Sequence, residues 1–139
     1  MKKHWAALGM SCVCMVGLMA VSFASEFSLP PPEAKTYNGI PYLSGGVGLD
    51  ELETLGRMGQ DYDLKLVFAE KAGNYLSDVE VIVKDAGSNT ILEAISQGPW
   101  LFAQLPAGKY TILATMRGET RKQVTQVTTH RQTALYFYW

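Results

Sequence analysis

Beyond Cys14 the chain has no cysteine, and beyond His4 its only histidine is His130. Cys12 and Cys14 both lie in an uncharged segment, Trp5 to Phe23, that follows the basic start Met1-Lys2-Lys3-His4. Ser22-Phe23-Ala24 then places small residues at −3 and −1 of a cleavage point after Ala24, the arrangement of a secretory signal peptide. Nineteen uncharged residues approach the roughly 20 needed to span a bilayer, but Gly9, Ser11, Gly17 and Ser22 dilute the run. The expected mature protein therefore begins at Ser25 and contains no cysteine. That excludes a disulfide framework, a thiol nucleophile and a cysteine-held zinc. A lipoprotein would carry its acceptor cysteine at the end of the apolar run rather than in its middle. The expected localisation is periplasmic or secreted, with the membrane touched only during export; the two-lysine start and missing cysteine framework point to a bacterial envelope.

Charge is equally sparse. Removing Lys2 and Lys3 lowers the 12 basic residues to 10 against 13 acidic ones, a net charge of −3. No run of like charge exceeds two residues, which excludes a polybasic membrane patch and leaves nothing to attract nucleic acid. The remaining residues suffice for one domain with its own core.

Four stretches follow in order. Residues 1–24 are the signal. Residues 25–42, with Leu29-Pro30-Pro31-Pro32 and Asn38-Gly39-Ile40-Pro41, read as an extended leader, because proline removes a ladder donor. Residues 43–63 hold a Gly-rich turn, Ser44 to Gly48, and a short helix. Asp50 is expected to cap that helix with Glu53 three residues on, and Leu52, Leu55, Met58 or Gly59, and Tyr62 form its buried stripe. From residue 64 to 139 the period changes to two. Strands are expected around Leu64 to Phe68, Val79 to Lys84, Ile91 to Ile95, Trp100 to Ala103, Tyr110 to Met116, Val124 to Thr128 and Thr133 to Trp139. The turn Pro106-Ala107-Gly108 reads as type II, with Gly108 at positive φ. Seven short strands separated by turns predict an all-β, antiparallel sandwich preceded by one helix.

The stretch Val79 to Asp85 followed by Gly98 to Ile112, with its Leu105-Pro106-Ala107-Gly108-Lys109-Tyr110 element, resembles the carboxypeptidase regulatory-like domain, a transthyretin-like sandwich. The whole chain, with Tyr42 to Gly48 and the closing Tyr138-Trp139, is similar to small exported bacterial proteins named for that domain. The resemblance implies a transthyretin/immunoglobulin-like fold without a reaction, since the zinc-bearing catalytic domain that such modules accompany has no counterpart here. It also implies kinship with carbohydrate-binding-like modules.

Chemical motifs are few. His130 lies in a predicted hairpin turn among polar residues and reads as solvated, and no Gly-x-Ser-x-Gly elbow accompanies it. Gly45-Gly46-Val47-Gly48 lacks the Lys-Ser/Thr ending of a phosphate loop, and Asp50, Glu51 and Glu53 crowd the site a phosphate would need. Asp61 and Asp63 fall short of a calcium loop. No catalytic residue, metal ligand or cofactor is expected. Aromatic residues are the surplus: Tyr42, Tyr75, Trp100, Tyr136 and Tyr138 exceed the needs of one inward face. Trp100, Tyr75 and Tyr42 are the candidate ligand-binding residues, for an envelope protein in a structural or protein-interaction role or, alternatively, for a glycan. The C-terminal alternation of Leu135, Phe137 and Trp139 with Tyr136 and Tyr138 fits a closing strand of the sandwich. Too few strand residues remain for a membrane barrel.

Overall fold

The computed structural model describes residues 30–139; the expected signal peptide with its two cysteines, and residues 25–29 of the expected leader, lie outside the described residues. Two sheets pack face to face as an all-β sandwich. One has five strands: β1 (Lys35–Tyr37), β2 (Ile40–Gly45), β6 (Trp100–Ala103), β3 (Leu64–Ala69) and β9 (Thr133–Tyr138), in that spatial order. The other has four: β5 (Thr90–Ile95), β4 (Glu80–Lys84), β7 (Gly108–Met116) and β8 (Glu119–Val127).

Among the described residues the strands number nine rather than seven. The two additional ones come from the segment expected to be an extended leader. Asn38 and Gly39, at φ 47° and 84°, make a two-residue hairpin turn between β1 and β2, which is the strongest short hairpin signal a sequence offers. Pro41 is tolerated because its missing N–H falls opposite Gln104, just past the end of β6, while its carbonyl still accepts the Gln104 N–H at 2.9 Å. The helix consequently follows two strands instead of preceding the whole sandwich. The sheets are also not wholly antiparallel, since β9 runs parallel to β3 from Leu64↔Thr133 to Ala69↔Tyr138.

The main core lies between the sheets. Leu64, Leu66 and Phe68 of β3 meet Val81 and Val83 of β4, Leu92 of β5, and Tyr110, Ile112 and Ala114 of β7. The final strand turns Leu135 and Phe137 inward, with the Phe137 and Phe68 rings 5.9 Å apart and Trp139 stacked beyond them. Tyr110 donates its hydroxyl to the Pro106 carbonyl at 2.6 Å, pinning the loop before β7.

At the open side of the sandwich, β8 and β9 are joined by side chains. Arg121 Nε donates to the Tyr138 carbonyl at 2.9 Å, Gln123 Nε2 to the Tyr136 carbonyl at 2.6 Å, and the Trp139 indole to the Glu119 carbonyl at 3.0 Å. Strand β8 is longer than its apolar pattern suggested because its inward positions carry these polar groups. Arg117 and Gly118, both at positive φ, turn the chain into it.

Helix α1 (Leu49–Met58) lies on the outer face of the five-stranded sheet, burying Leu55 against Leu43 and Phe102. Asp50 does not cap it. The N-cap is Gly48, and Glu51 instead reaches back to accept the Gly46 N–H at 3.0 Å. At the other end Gln132 donates to the carbonyls of Gly59 and Tyr62, each at 2.8 Å.

Gly108 is a further correction. It opens β7 opposite Val127 and is not among the left-handed glycines, so the expected type II turn is absent. A Cβ there would meet only the Tyr110 ring, at 3.7 Å and beyond. Gly108→Ala is therefore expected to shift stability by no more than about 1 kcal/mol, which a urea titration measures; a loss near 3 kcal/mol would mean that the position needs glycine after all.

Candidate functional site

Which face each aromatic occupies follows from strand register, since directly opposed residues project to the same side of a sheet. On β3, Leu64, Leu66 and Phe68 point into the core, so Lys65, Val67 and Ala69 point out toward the helix side. Three rows cross that outer face. The first is Phe102, Lys65, Ala134; the second is Trp100, Val67, Tyr136; the third is Tyr75, Ala69, Tyr138.

Of the three candidate residues, Trp100 and Tyr75 share this face and Tyr42 does not. Tyr42 projects to the opposite side, packs on the main core, and lines a separate groove with Lys35, Glu80, Ile95 and Gln97. Trp100 is half-buried beneath α1. Gly56 of the helix passes over it, close enough that a Cβ would touch the ring at 3.5 Å, and the Lys65 ammonium sits 3.8 Å from the ring centroid. Phe102 meets it edge-on, with centroids 6.2 Å apart. Little of the indole is left for a ligand to stack upon. Gly59 performs the same service over Phe102, whose ring atoms would lie 2.5 Å from a Cβ at that position.

Tyr75 is 58% exposed and borders a shallow apolar groove of about 400 Å³ at the head of α1, formed with Gly46, Val47, Leu49, Leu52 and Pro99. Leu49, in the first turn of the helix, is 85% exposed, and Val47 57%. Neither aliphatic residue figured among the candidates. Spacing alone does not mark them, since Leu49 stands three residues before Leu52 and would continue its stripe; Leu49 is exposed because it is the first residue of the helix, and Val47 because it stands between Gly46 and Gly48, at φ 101° and 92°, in the loop before it.

Among the described residues, no helix packs on the other half of the face, over β3 and β9. Tyr136 and Tyr138 keep half of their surface exposed, while Val67 and Ala69 between the aromatic columns are buried. Lys65 forms no ion pair with the described residues. Burial lowers its pKa from the ordinary lysine value, as expected where a cation exchanges water for aromatic surface.

Among the described residues no three histidine, cysteine or carboxylate side chains come close enough together to hold a metal ion. Asp85 is occupied locally, accepting the backbone N–H groups of Gly87 and Asn89 at 2.9 and 3.0 Å; the Asn89 contact leads in lowering its pKa. No protein-family model matches the chain, and a search of curated proteins finds no match.

Proposed function

We propose that this chain is an exported, non-catalytic β-sandwich that docks an envelope protein through the apolar surface at the head of α1. The exposure of Leu49 carries the reading. A leucine left exposed at the first residue of the helix, beside the exposed Val47 and Tyr75 and a groove floored by Leu52 and Pro99, is costly to keep in water unless a partner covers it. Aliphatic side chains recognise apolar protein surface better than they recognise sugars, whose hydroxyl groups require polar partners. The nine-stranded sandwich with its Tyr110 corner supports a further proposal, kinship with transthyretin-like modules of the carboxypeptidase regulatory type. Glycan recognition through Trp100 and Tyr42 draws little support, because one is covered by the helix and the other faces the core.

Leu49→Asp tests the docking surface without touching the core. In affinity capture from the native envelope, the wild-type domain is expected to retain a protein that Leu49→Asp loses, while the two melt at the same temperature. Identical capture by both would remove the head of α1 from the interface.

A further inference from the structure

We propose that β5, the free edge of the four-stranded sheet, is a strand-addition site: an extended segment of a partner protein, alternating basic and apolar residues, pairs antiparallel with it and sets a lysine or arginine against Glu93. The site is separate from the docking surface at the head of α1.

Among the described residues β5 pairs with β4 alone. Just past its end, Ser96 donates its N–H to the Val79 carbonyl and accepts the Asp78 N–H, both on the β4 side, whereas the Gln97 N–H points the other way, to the Ser44 hydroxyl. Backbone groups alternate from side to side along an antiparallel strand, so Ile95 and Glu93 aim theirs away from β4. A groove of about 510 Å³ runs along these residues, with Lys35 of β1 and Tyr42 of β2 on its far wall. The other edges are blunted. Strand β1 has three residues, β8 carries Arg121 and Lys122, and the β9 carbonyls of Tyr136 and Tyr138 already accept the Gln123 and Arg121 side chains. Strand β5 has six residues with neither proline nor lysine, and its register shifts only at its start, beside Lys84. A regular, apolar edge left bare invites another strand.

Charge narrows the partner. Val81 and Val83 face the core, so Glu80 and Ile82 face out, and with them their opposite residues Ile95 and Glu93. Glu80 and Glu93 stand diagonally across the ladder, about 7–8 Å apart, and neither forms an ion pair with the described residues. Ile95, beside both, is 60% exposed. A strand laid along β5 puts alternate side chains on this outer face, where a long basic side chain rests its stem on Ile95 and carries its charge to the carboxylates. The side chains between them turn inward, toward Ala94 and Tyr42, which pack on the main core. Lys35 also stands on that inner wall and would repel a cation there. The inward positions of the partner are therefore apolar and the outward ones basic.

A blocked peptide in which lysine alternates with valine tests the proposal, by NMR titration and amide exchange of the mature protein. It is expected to bind and to slow exchange of the Glu93 and Ile95 amides, and the same peptide with glutamate in place of lysine to bind about tenfold more weakly. Methylating the peptide nitrogens of the lysines, which lie opposite Glu93 and Ile95, should abolish binding, while methylating the central valine, whose N–H points away from β5, should not. Glu93→Lys, at an exposed position, should weaken the lysine peptide and strengthen the glutamate one with the melting temperature held. Leu49→Asp should alter neither. No slowing at Glu93 and Ile95, equal binding of the two peptides, or indifference to methylation of the lysines would each overturn the assignment. So would protection of those amides in the free protein that is lost on dilution, since the edge would then belong to a second copy of this chain.

Discussion

A chain ending at Gln132 is expected not to fold. Strand β9 supplies one whole side of β3 through six parallel pairs, and it brings Phe137 into contact with Phe68 at the centre of the main core. Truncating Phe137 alone to alanine costs about 3–5 kcal/mol. Removing Leu135 and Trp139 with it, and exposing the outer edge of β3, exceeds the 5–15 kcal/mol that holds a typical domain together. Circular dichroism of the truncated protein should show an unfolded chain or an insoluble one. The intact mature protein should fold in plain buffer without detergent. A soluble, cooperative melt from the truncated chain would contradict the part assigned to β9.

The second large effect is expected from a single methyl group. Gly98 crosses directly over Gly45, so a Cβ at position 98 would fall on the Gly45 carbonyl oxygen, with the Gly45 backbone all around it. A flexible side chain could move aside, whereas a strand backbone cannot without breaking its ladder. Beside that contact, the Pro99 carbonyl accepts the Phe68 N–H at 2.8 Å, and the Ser44 hydroxyl both donates to the Trp100 carbonyl and accepts the Gln97 N–H. Gly98→Ala should therefore displace β2 from β6 and lower stability by about 3 kcal/mol or more, near the upper range for overpacking. Chemical denaturation measures this directly. A variant within 1 kcal/mol of the parent would mean that the two backbones separate easily.

The period-two strands of the main core were readable because a half-buried strand writes its burial into alternate residues. Val79, Val81 and Val83, or Tyr110, Ile112 and Ala114, are apolar for no other reason. Elements at the margin write less. Strand β8 carries Arg121 and Gln123 at inward positions, since there they bond the carbonyls of β9 instead of packing in the core. Strand β1 is only Lys35–Tyr37, too short for a period, and its turn residues Asn38-Gly39 were hidden by a proline on either side. The parallel pairing of β3 with β9 leaves no trace in either strand's own pattern.

The site follows the same division. That Tyr75, Trp100, Tyr136 and Tyr138 exceed the needs of a core could be counted, but which of them reach solvent depends on where α1 lies. Gly56 and Gly59, which weaken an isolated helix, are the residues that bring α1 down onto Trp100 and Phe102. The face of Tyr42 could not be read for a simpler reason: one residue of register separates the face of Leu43 from the face of Tyr42, and only the pairing with β6 decides which is which.

The parallel pairing of β3 with β9 also sets the order in which the molecule can assemble. The hairpins β1–β2 and β7–β8 close over two-residue turns and can form as soon as their residues are available. The five-stranded sheet cannot be completed until β9 has joined β3, from which five strands separate it in the chain. Such long-range closure places the domain among slow-folding topologies, in the millisecond-to-second range. Until then Phe68 lacks its neighbour and the outer side of β3 lies open, so the chain stays unfolded for as long as its final strand is withheld.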